Sequence, residues 1–276
     1  MTVPFRGDDP PNPSAPPAGG GTEVVVEQDG PAVWIRLCAP ERRNAYDPAM
    51  AAAITDAIEN SAGAHAVVIT GTEGSFCAGG SLSQLSAPTA ADMRGLYRAS
   101  LRMFDAIRQC PRPVIAAVNG PAAGGGNELV VACDLAVAGR SATFGQTGPR
   151  VGSAPVTGAT NVMALQIGEK KAKELSFLCR RYSADQALAM GLVNEVVDDA
   201  EVEPTARQWC AEIAELSPRY LEIAKISSNI WWNAARDSFS TGLGMLMQAV
   251  GSADMVEGAT AFLQKRRPVF PGPDAG

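Results

Sequence analysis

Three consecutive glycines, Gly124 to Gly126, lie between a predicted strand and a predicted helix, and Glu128 follows them in the first turn of that helix. The first N–H groups of a helix have no intrahelical acceptor, and glycine has no Cβ to keep a ligand away from them. Such N–H groups bind an anion or a developing oxyanion. Glu128 is placed beside them to act as a general acid or base. Two simpler interpretations stay open. The glycines can form only a tight turn between strand and helix, and the Glu128 carboxylate can serve only to complement the helix dipole.

A second glycine-bearing loop, Gly74 to Ser81, follows a predicted buried strand over 66–70. Two loops that each present an N–H group to one carbonyl oxygen form the arrangement that stabilises an enolate or a tetrahedral oxyanion. Spacing in the sequence does not decide whether the two loops meet.

Composition excludes several other kinds of site. The chain has 276 residues, of which 46% are hydrophobic, and a net charge of −6, which favours neither a nucleic-acid binder nor a basic membrane-surface protein. His65 is the only histidine and precedes a predicted strand, so Ser-His-Asp or Cys-His catalysis is not expected. The six cysteines have no paired spacing, which predicts free thiols and no metal site. Since we find neither a signal peptide nor a membrane-length apolar run, we expect a cytoplasmic protein.

The elements that must position these groups form an α/β pattern, in which strands alternate with helices. A hairpin signal at Asp29-Gly30 opens the sheet, and a helix is predicted over 90–109 with Thr89 as its N-cap. From about Thr157 the pattern is helical, interrupted only by a strand over 192–197. The remaining predicted elements are strands at 113–118 and 134–138, and helices at 48–61, 128–132, 157–167, 169–179, 183–190, 205–215, 218–235, 239–250 and 252–265.

The same patterns divide the chain into three parts. Residues 1–22 are rich in Pro and Gly and are predicted to be a disordered tail. Residues 23–200 are predicted to be the α/β core. Residues 201–276 are predicted to be a helical region whose apolar content favours oligomerisation.

Several motifs in order resemble the enoyl-CoA hydratase/isomerase (crotonase) superfamily over about 23–270. They are RNA at 43–45, GSFCAGGS at 74–81, PVIAAVNGPAAGGGNEL at 113–129, CDLAVAGRSATFGQTGPRVGS at 133–153 and ADQALAMGLVNEVV at 184–197. The resemblance implies a spiral of ββα units with a helical C-terminal region, trimers or dimers of trimers, and an acyl-CoA thioester ligand. It also implies an oxyanion hole formed by the amides of Gly80 and Gly125.

Three further segments resemble the branch of 1,4-dihydroxy-2-naphthoyl-CoA synthases and ketocyclohexanecarboxyl-CoA hydrolases: FGQTGPRVGS, KKAKELSFLCRRYSADQALAMGLVN and FLQKRRPVF. These enzymes make or break carbon–carbon bonds. Pro155 stands where the synthases have an aspartate, and Ser176 replaces a tryptophan of the bicarbonate pocket that Gln146 and Gly148 would form. Proline cannot carry a proton, so native naphthoyl-CoA synthesis is not expected.

The resemblance also assigns the site residues. Glu128 matches the first of the two glutamates that hydratases use to activate water, whereas the second position is Gly148. The catalytic residues are therefore expected to be Glu128, Gly80 and Gly125. Basic side chains near the C-terminus are expected to pair with the CoA phosphates. The substrate-binding candidates are Ser153, Tyr97, Gln146, Gly148, Arg43 and Lys265.

These inferences predict an enzyme that stabilises a thioester enolate, with carbon–carbon bond formation, cleavage or decarboxylation of a β-keto or malonyl-type CoA thioester as the leading reaction. Hydration or isomerisation of an enoyl-CoA by Glu128 alone is the first alternative. A non-catalytic acyl-CoA binder is the second. We expect no tightly bound cofactor, since coenzyme A arrives as part of the substrate, and no nucleic-acid or membrane partner.

Overall fold

The computed structural model describes residues 23–81, 89–158 and 160–270. The predicted tail at 1–22 lies outside the described residues. The strands are β1 (Val24–Asp29), β2 (Ala32–Leu37), β3 (Ala66–Gly71), β4 (Val114–Val118), β5 (Ala122–Ala123), β6 (Leu135–Gly139), β7 (Thr143–Gly145), β8 (Arg181–Ser183) and β9 (Glu195–Val197). The helices are α1 (Pro48–Glu59), α2 (Ala90–Gln109), α3 (Gly125–Ala132), α4 (Val162–Ile167), α5 (Glu169–Leu178), α6 (Ala184–Met190), α7 (Val202–Ala214), α8 (Pro218–Ser228), α9 (Ile230–Ala234), α10 (Arg236–Gln248) and α11 (Ala253–Leu263).

The main sheet has six strands in the order β1-β2-β3-β4-β6-β9. The predicted hairpin is confirmed: β1 and β2 pair antiparallel around Gly30, whose φ of 56° suits a tight turn. The other neighbours in this sheet pair in parallel, so their carboxyl ends lie along one edge. The loop that leads to Gly80 leaves β3 at that edge, and the segment that leads through β5 to the glycines of α3 leaves β4 there.

Both faces of this sheet are buried at β3 and β4, which explains why these two strands read as continuous apolar runs. On one face, Val67 and Ile69 belong to a large core that includes residues of α1, α2 and α3. On the other face, Trp34 and Val68 pack with α7. The helices that carry the candidate site, α2 and α3, therefore pack against one face of the sheet.

A second, three-stranded sheet has the order β5-β7-β8 and was not predicted from the sequence. Its strands are two or three residues long, too short to show a period of two. The expectation that only one strand interrupts the helices after 157 is wrong at β8. This small sheet holds the segment that leads from Phe144 to Gln146 beside the glycines of α3, since β5 and β7 pair in parallel.

Most predicted helices are confirmed, and the differences have local causes. Helix α2 has the predicted bounds, and its Thr89 N-cap forms a reciprocal pair of hydrogen bonds with Asp92. The helix expected from 157 begins only at Val162. The chain turns at 156–158, where Thr157 forms hydrogen bonds with Glu128. The helix expected over 218–235 divides into α8 and α9 at Asn229.

The C-terminal helices are fastened to the core by a buried lysine. Lys225 in α8 is 7% exposed, and its Nζ donates to the carbonyl oxygens of Ile107 (2.9 Å) and Arg112 (2.8 Å). The same Nζ lies 2.7 Å from Asp134 Oδ2. All three protons of the ammonium group therefore have acceptors.

No helix among the described residues is long and apolar enough to cross a bilayer.

Replacing Lys225 by alanine is expected to lower the free energy of unfolding by about 3 kcal/mol, because it leaves the carbonyl oxygens of Ile107 and Arg112 without their donor and the partly buried Asp134 carboxylate without its cation. Urea denaturation with linear extrapolation measures this loss. The matched control is Arg140→Ala, which breaks an exposed pair with Asp198 and is expected to leave the free energy of unfolding nearly unchanged. Equal losses for the two variants would contradict the anchoring role of Lys225.

Candidate active site

A cavity opens between α2, the first turn of α3 and the segment 146–157. Most of the residues predicted from the sequence line it together, although they come from four separate parts of the chain. Those at the cavity are Gly80, Tyr97, Gly125, Glu128, Gln146, Gly148 and Ser153. Two are not brought there: the side chains of Arg43 and Lys265 are exposed outside the cavity. Contact of these two with CoA phosphates stays a prediction.

The loop that carries Gly80 presents its amide toward the cavity because of how it pairs. Tyr46 forms a parallel bridge with Gly80, in which Tyr46 N donates to Gly79 O (2.8 Å) and Ser81 N donates to Tyr46 O (2.8 Å). In such a bridge the N–H of the central residue points to the opposite side. The Gly80 N–H therefore faces away from Tyr46, on the side of the cavity that Gly80 lines.

The two glycine loops approach each other closely. A Cβ built on Gly79 would lie 2.7 Å from the Gly125 nitrogen and 2.8 Å from the Ala123 oxygen, so only glycine fits there. Gly79 also has a φ of 96°, which other residues rarely adopt. Gly125 is the first residue of α3, where an N–H has no intrahelical acceptor. Two bare amides thus lie beside one cavity.

Glu128 is the only charged side chain among the described residues that line the cavity. It is 5% exposed, and Thr157 holds both of its carboxylate oxygens. Thr157 N donates to Oε1 (3.0 Å), and Thr157 Oγ1 donates to Oε2 (2.7 Å). Hydrogen bonds to a charged group are the stronger ones, and here they fix the plane of the carboxylate. Thr157 was not predicted from the sequence, because no motif marks it.

No side chain replaces the second hydratase glutamate at Gly148. A Cβ at this position would lie 3.1 Å from Pro155 Cδ and 3.1 Å from the Ser153 oxygen, which is tighter than ordinary packing. Pro155 therefore occupies space beside the glycine. A second carboxylate could not be accommodated at residue 148 without moving the segment 153–155.

Hydroxyl groups supply most of the remaining polarity at the cavity. Tyr97 Oη and Ser153 Oγ share a hydrogen bond of 2.9 Å, and burial raises the pKa of Tyr97. Tyr46 and Ser100 also line the cavity, and the sequence analysis missed both. The only available signal was the position of Tyr46 directly after the RNA motif.

Gln146 contributes an unusual amide. Its side chain is fully buried, and neither Oε1 nor Nε2 has a hydrogen-bond partner among the described residues. The Ser176 hydroxyl is buried without such a partner as well. Unpaired polar groups in a protein interior are costly, so a bound molecule that pairs with Gln146 would gain affinity. Across the described residues, no group of three or more His, Cys, Asp or Glu side chains forms a metal cluster.

Comparison with known proteins places this arrangement among acyl-CoA enzymes. The enoyl-CoA hydratase/isomerase family model matches residues 28–273. An enoyl-CoA hydratase from Mycobacterium avium subsp. paratuberculosis K-10 is 26% identical with a TM-score of 0.82, over 91% of this chain and 99% of that one. A carnitinyl-CoA hydratase from Mycobacterium avium is 32% identical with a TM-score of 0.80, over 91% and 99%. An enoyl-CoA hydratase from Bacillus anthracis is 29% identical with a TM-score of 0.74, over 91% and 100%. The predicted fold, a mixed α/β crotonase fold with a helical C-terminal region, is confirmed by these matches.

Thr157→Val is expected to destabilise the protein by about 1–3 kcal/mol, because Oε2 of Glu128 loses its donor while remaining buried. Thr157→Ser keeps the hydroxyl and is the matched control, with an expected loss below that of the valine variant. Urea denaturation measures both. If the serine and valine variants lose the same stability, the hydroxyl does not hold the carboxylate.

Proposed function

The chain belongs to the enoyl-CoA hydratase/isomerase family, and from this premise we propose that it binds an acyl-CoA and stabilises the enolate of its thioester. The N–H groups of Gly80 and Gly125 bind the thioester oxygen. The observation that carries this proposal is the close approach of the Gly79–Gly80 loop to the Gly125 nitrogen at the head of α3. Loss of one such donor typically costs about 3–4 kcal/mol of transition-state stabilisation.

In the proposed step, the Glu128 carboxylate takes a proton from the α-carbon of the acyl group. The Cα–H bond breaks, an O–H bond forms on Glu128, and the electron pair moves to the thioester oxygen held by the two amides. Thr157 contributes by keeping the carboxylate in one plane. Reversal of the step returns the proton to the α-carbon or delivers it elsewhere on the substrate.

For the overall reaction we propose carbon–carbon bond formation, cleavage or decarboxylation on a β-keto or malonyl-type thioester. In decarboxylation the bond between Cα and the carboxylate carbon breaks, carbon dioxide leaves, and the electron pair passes into the enolate; one acid is then sufficient, since only the α-carbon needs a proton. In cleavage of a β-keto thioester, water first adds to the keto carbon, and the bond from that carbon to Cα then breaks to give a carboxylic acid and the enolate. The single carboxylate at the cavity and the tight surroundings of Gly148 support this reaction.

A second candidate is hydration or double-bond isomerisation of an enoyl-CoA. It is favoured by the buried position of Glu128 in the first turn of α3, where one carboxylate can orient water or move a proton between two carbons. The third possibility, an acyl-CoA binder without activity, differs from both because it predicts binding with no change in the acyl group.

Exchange of the α-protons of butyryl-CoA in D2O tests the enolate itself, whatever the final reaction. The native protein is expected to exchange them, and Glu128→Gln is expected to slow the exchange about 100-fold or more with acyl-CoA affinity unchanged within about threefold. Mass spectrometry of the thioester measures deuterium gain. Glu59→Gln, at the exposed end of α1, is the matched control and should exchange at the native rate.

Failure of the native protein to exchange, together with tight acyl-CoA binding, would contradict the enolate proposal and favour the non-catalytic binder. If Glu128→Gln exchanges the α-protons at the native rate, the enolate proposal stands, but a residue other than Glu128 must be the base.

Product analysis separates the two reaction classes. With crotonyl-CoA in ¹⁸O-labelled water, carbon–carbon chemistry predicts no labelled hydroxyacyl-CoA, whereas malonyl-CoA or a β-keto thioester is expected to lose carbon dioxide or an acyl fragment. Mass spectrometry of the CoA products measures both. Rapid incorporation of ¹⁸O from water, with malonyl and β-keto thioesters left intact, would instead assign the hydratase reaction.

We further propose that the protein forms homotrimers or dimers of trimers and holds no resident cofactor. The oligomer is supported by an exposed apolar surface on α8 and α9, formed by Tyr220, Ile223, Ile226, Ile230 and Trp231. Trp232, in contrast, is buried and its Nε1 donates to Asp105 (2.9 Å).

A further inference from the structure

Tyr46 connects the two loops of the candidate oxyanion hole. Its main chain pairs with the loop that carries Gly80. Its side chain is 2% exposed and extends to the other loop, where it lines the cavity beside Gly125.

The Tyr46 hydroxyl lies directly against Gly125. A Cβ built on Gly125 would be 2.3 Å from Tyr46 Oη and 3.1 Å from Cζ, so the phenol occupies the space of a side chain at that position. Because a Cα–Cβ bond is about 1.5 Å long, Oη lies within about 4 Å of the Gly125 Cα. The hydroxyl therefore sits next to the N–H that is proposed to bind the thioester oxygen.

The phenol is held in its neutral form. Burial, followed by the negative charge of Glu128, raises the pKa of Tyr46 well above its ordinary value, although a hydrogen bond with Ser100 opposes the shift. A neutral phenol carries one proton that it can donate.

We propose that the Tyr46 hydroxyl is a third hydrogen-bond donor of the oxyanion hole, which donates to the thioester oxygen as negative charge develops there. This inference rests on the proposed enolate function. A hydrogen bond from the neutral phenol is stronger to a charged oxygen than to an uncharged carbonyl, so it stabilises the bound molecule chiefly when the thioester oxygen is charged. An interaction that strengthens only in the transition state raises the rate without tightening substrate binding.

Tyr46→Phe tests the inference because it keeps the ring against Gly125 and removes only the hydroxyl. We expect the rate of α-proton exchange to fall about 100-fold, with acyl-CoA affinity changed less than about threefold. Tyr182→Phe is the matched control, since Tyr182 is equally buried but does not line the cavity, and it should exchange at the native rate.

A titration of bound acetoacetyl-CoA gives a readout that loss of packing would not imitate. The absorbance of its enolate, followed against pH, reports how strongly the site prefers the charged form. Tyr46→Phe is expected to move the midpoint upward by about two pH units, the same hundredfold preference expressed as a proton equilibrium. Replacing Tyr46 by 3-fluorotyrosine, which has nearly the same shape and a more acidic hydroxyl, should move the titration midpoint downward. This variant tests the inference if the phenylalanine variant does not fold.

An unchanged titration midpoint and a native exchange rate in Tyr46→Phe would overturn the inference. Its failure can be distinguished from failure of the proposed function. If the native protein exchanges α-protons and Glu128→Gln does not, the enolate function stands while Tyr46 is excluded. If the native protein neither exchanges α-protons nor favours the bound enolate, both proposals fall.

Discussion

Contact between two main-chain segments is the constraint on which the rest of the site depends. The loop ending at Gly80 and the turn before α3 approach until a single methyl group on Gly79 would strike the Gly125 nitrogen. Backbone amides brought this close can share one acceptor, and amides fixed by bridges and a helix need no reorganisation when charge appears. Parallel strands β3 and β4 make the contact possible, because both loops leave the same edge of the sheet.

Around these amides the site is polar but carries little charge. One buried carboxylate, Glu128, faces hydroxyl groups from Tyr46, Tyr97 and Thr157. Burial raises the pKa of both tyrosines, so at neutral pH they donate protons in hydrogen bonds and do not ionise. Such a site suits a reaction with one proton transfer and one developing oxyanion. It suits less well a reaction that needs two carboxylates around a water molecule.

Long-range polar contacts, together with the apolar core, hold the surrounding elements in place. Lys225 joins α8 to the end of α2 and to the start of β6 through three acceptors. Arg108, near the end of α2, stacks on Trp232 and bonds to Asn229 and to the carbonyl of Val131 in α3. The helix that carries Tyr97 and Ser100 is therefore tied at its far end to α3, which carries Glu128.

The sequence by itself determined the local chemistry and most of the local structure. Apolar periodicity, caps and turn residues act over a few positions, so the hairpin, α2 with its Thr89 cap, and the glycines that leave Gly80 and Gly125 bare were all predictable. Strands of two or three residues were not, since they are too short to show a period. Only the tertiary structure decided that the two loops meet, that Thr157 holds Glu128, and that the phenol of Tyr46 fills the space beside Gly125. These contacts join residues far apart in the chain, and their geometry depends on strand register and helix packing, which no short pattern encodes.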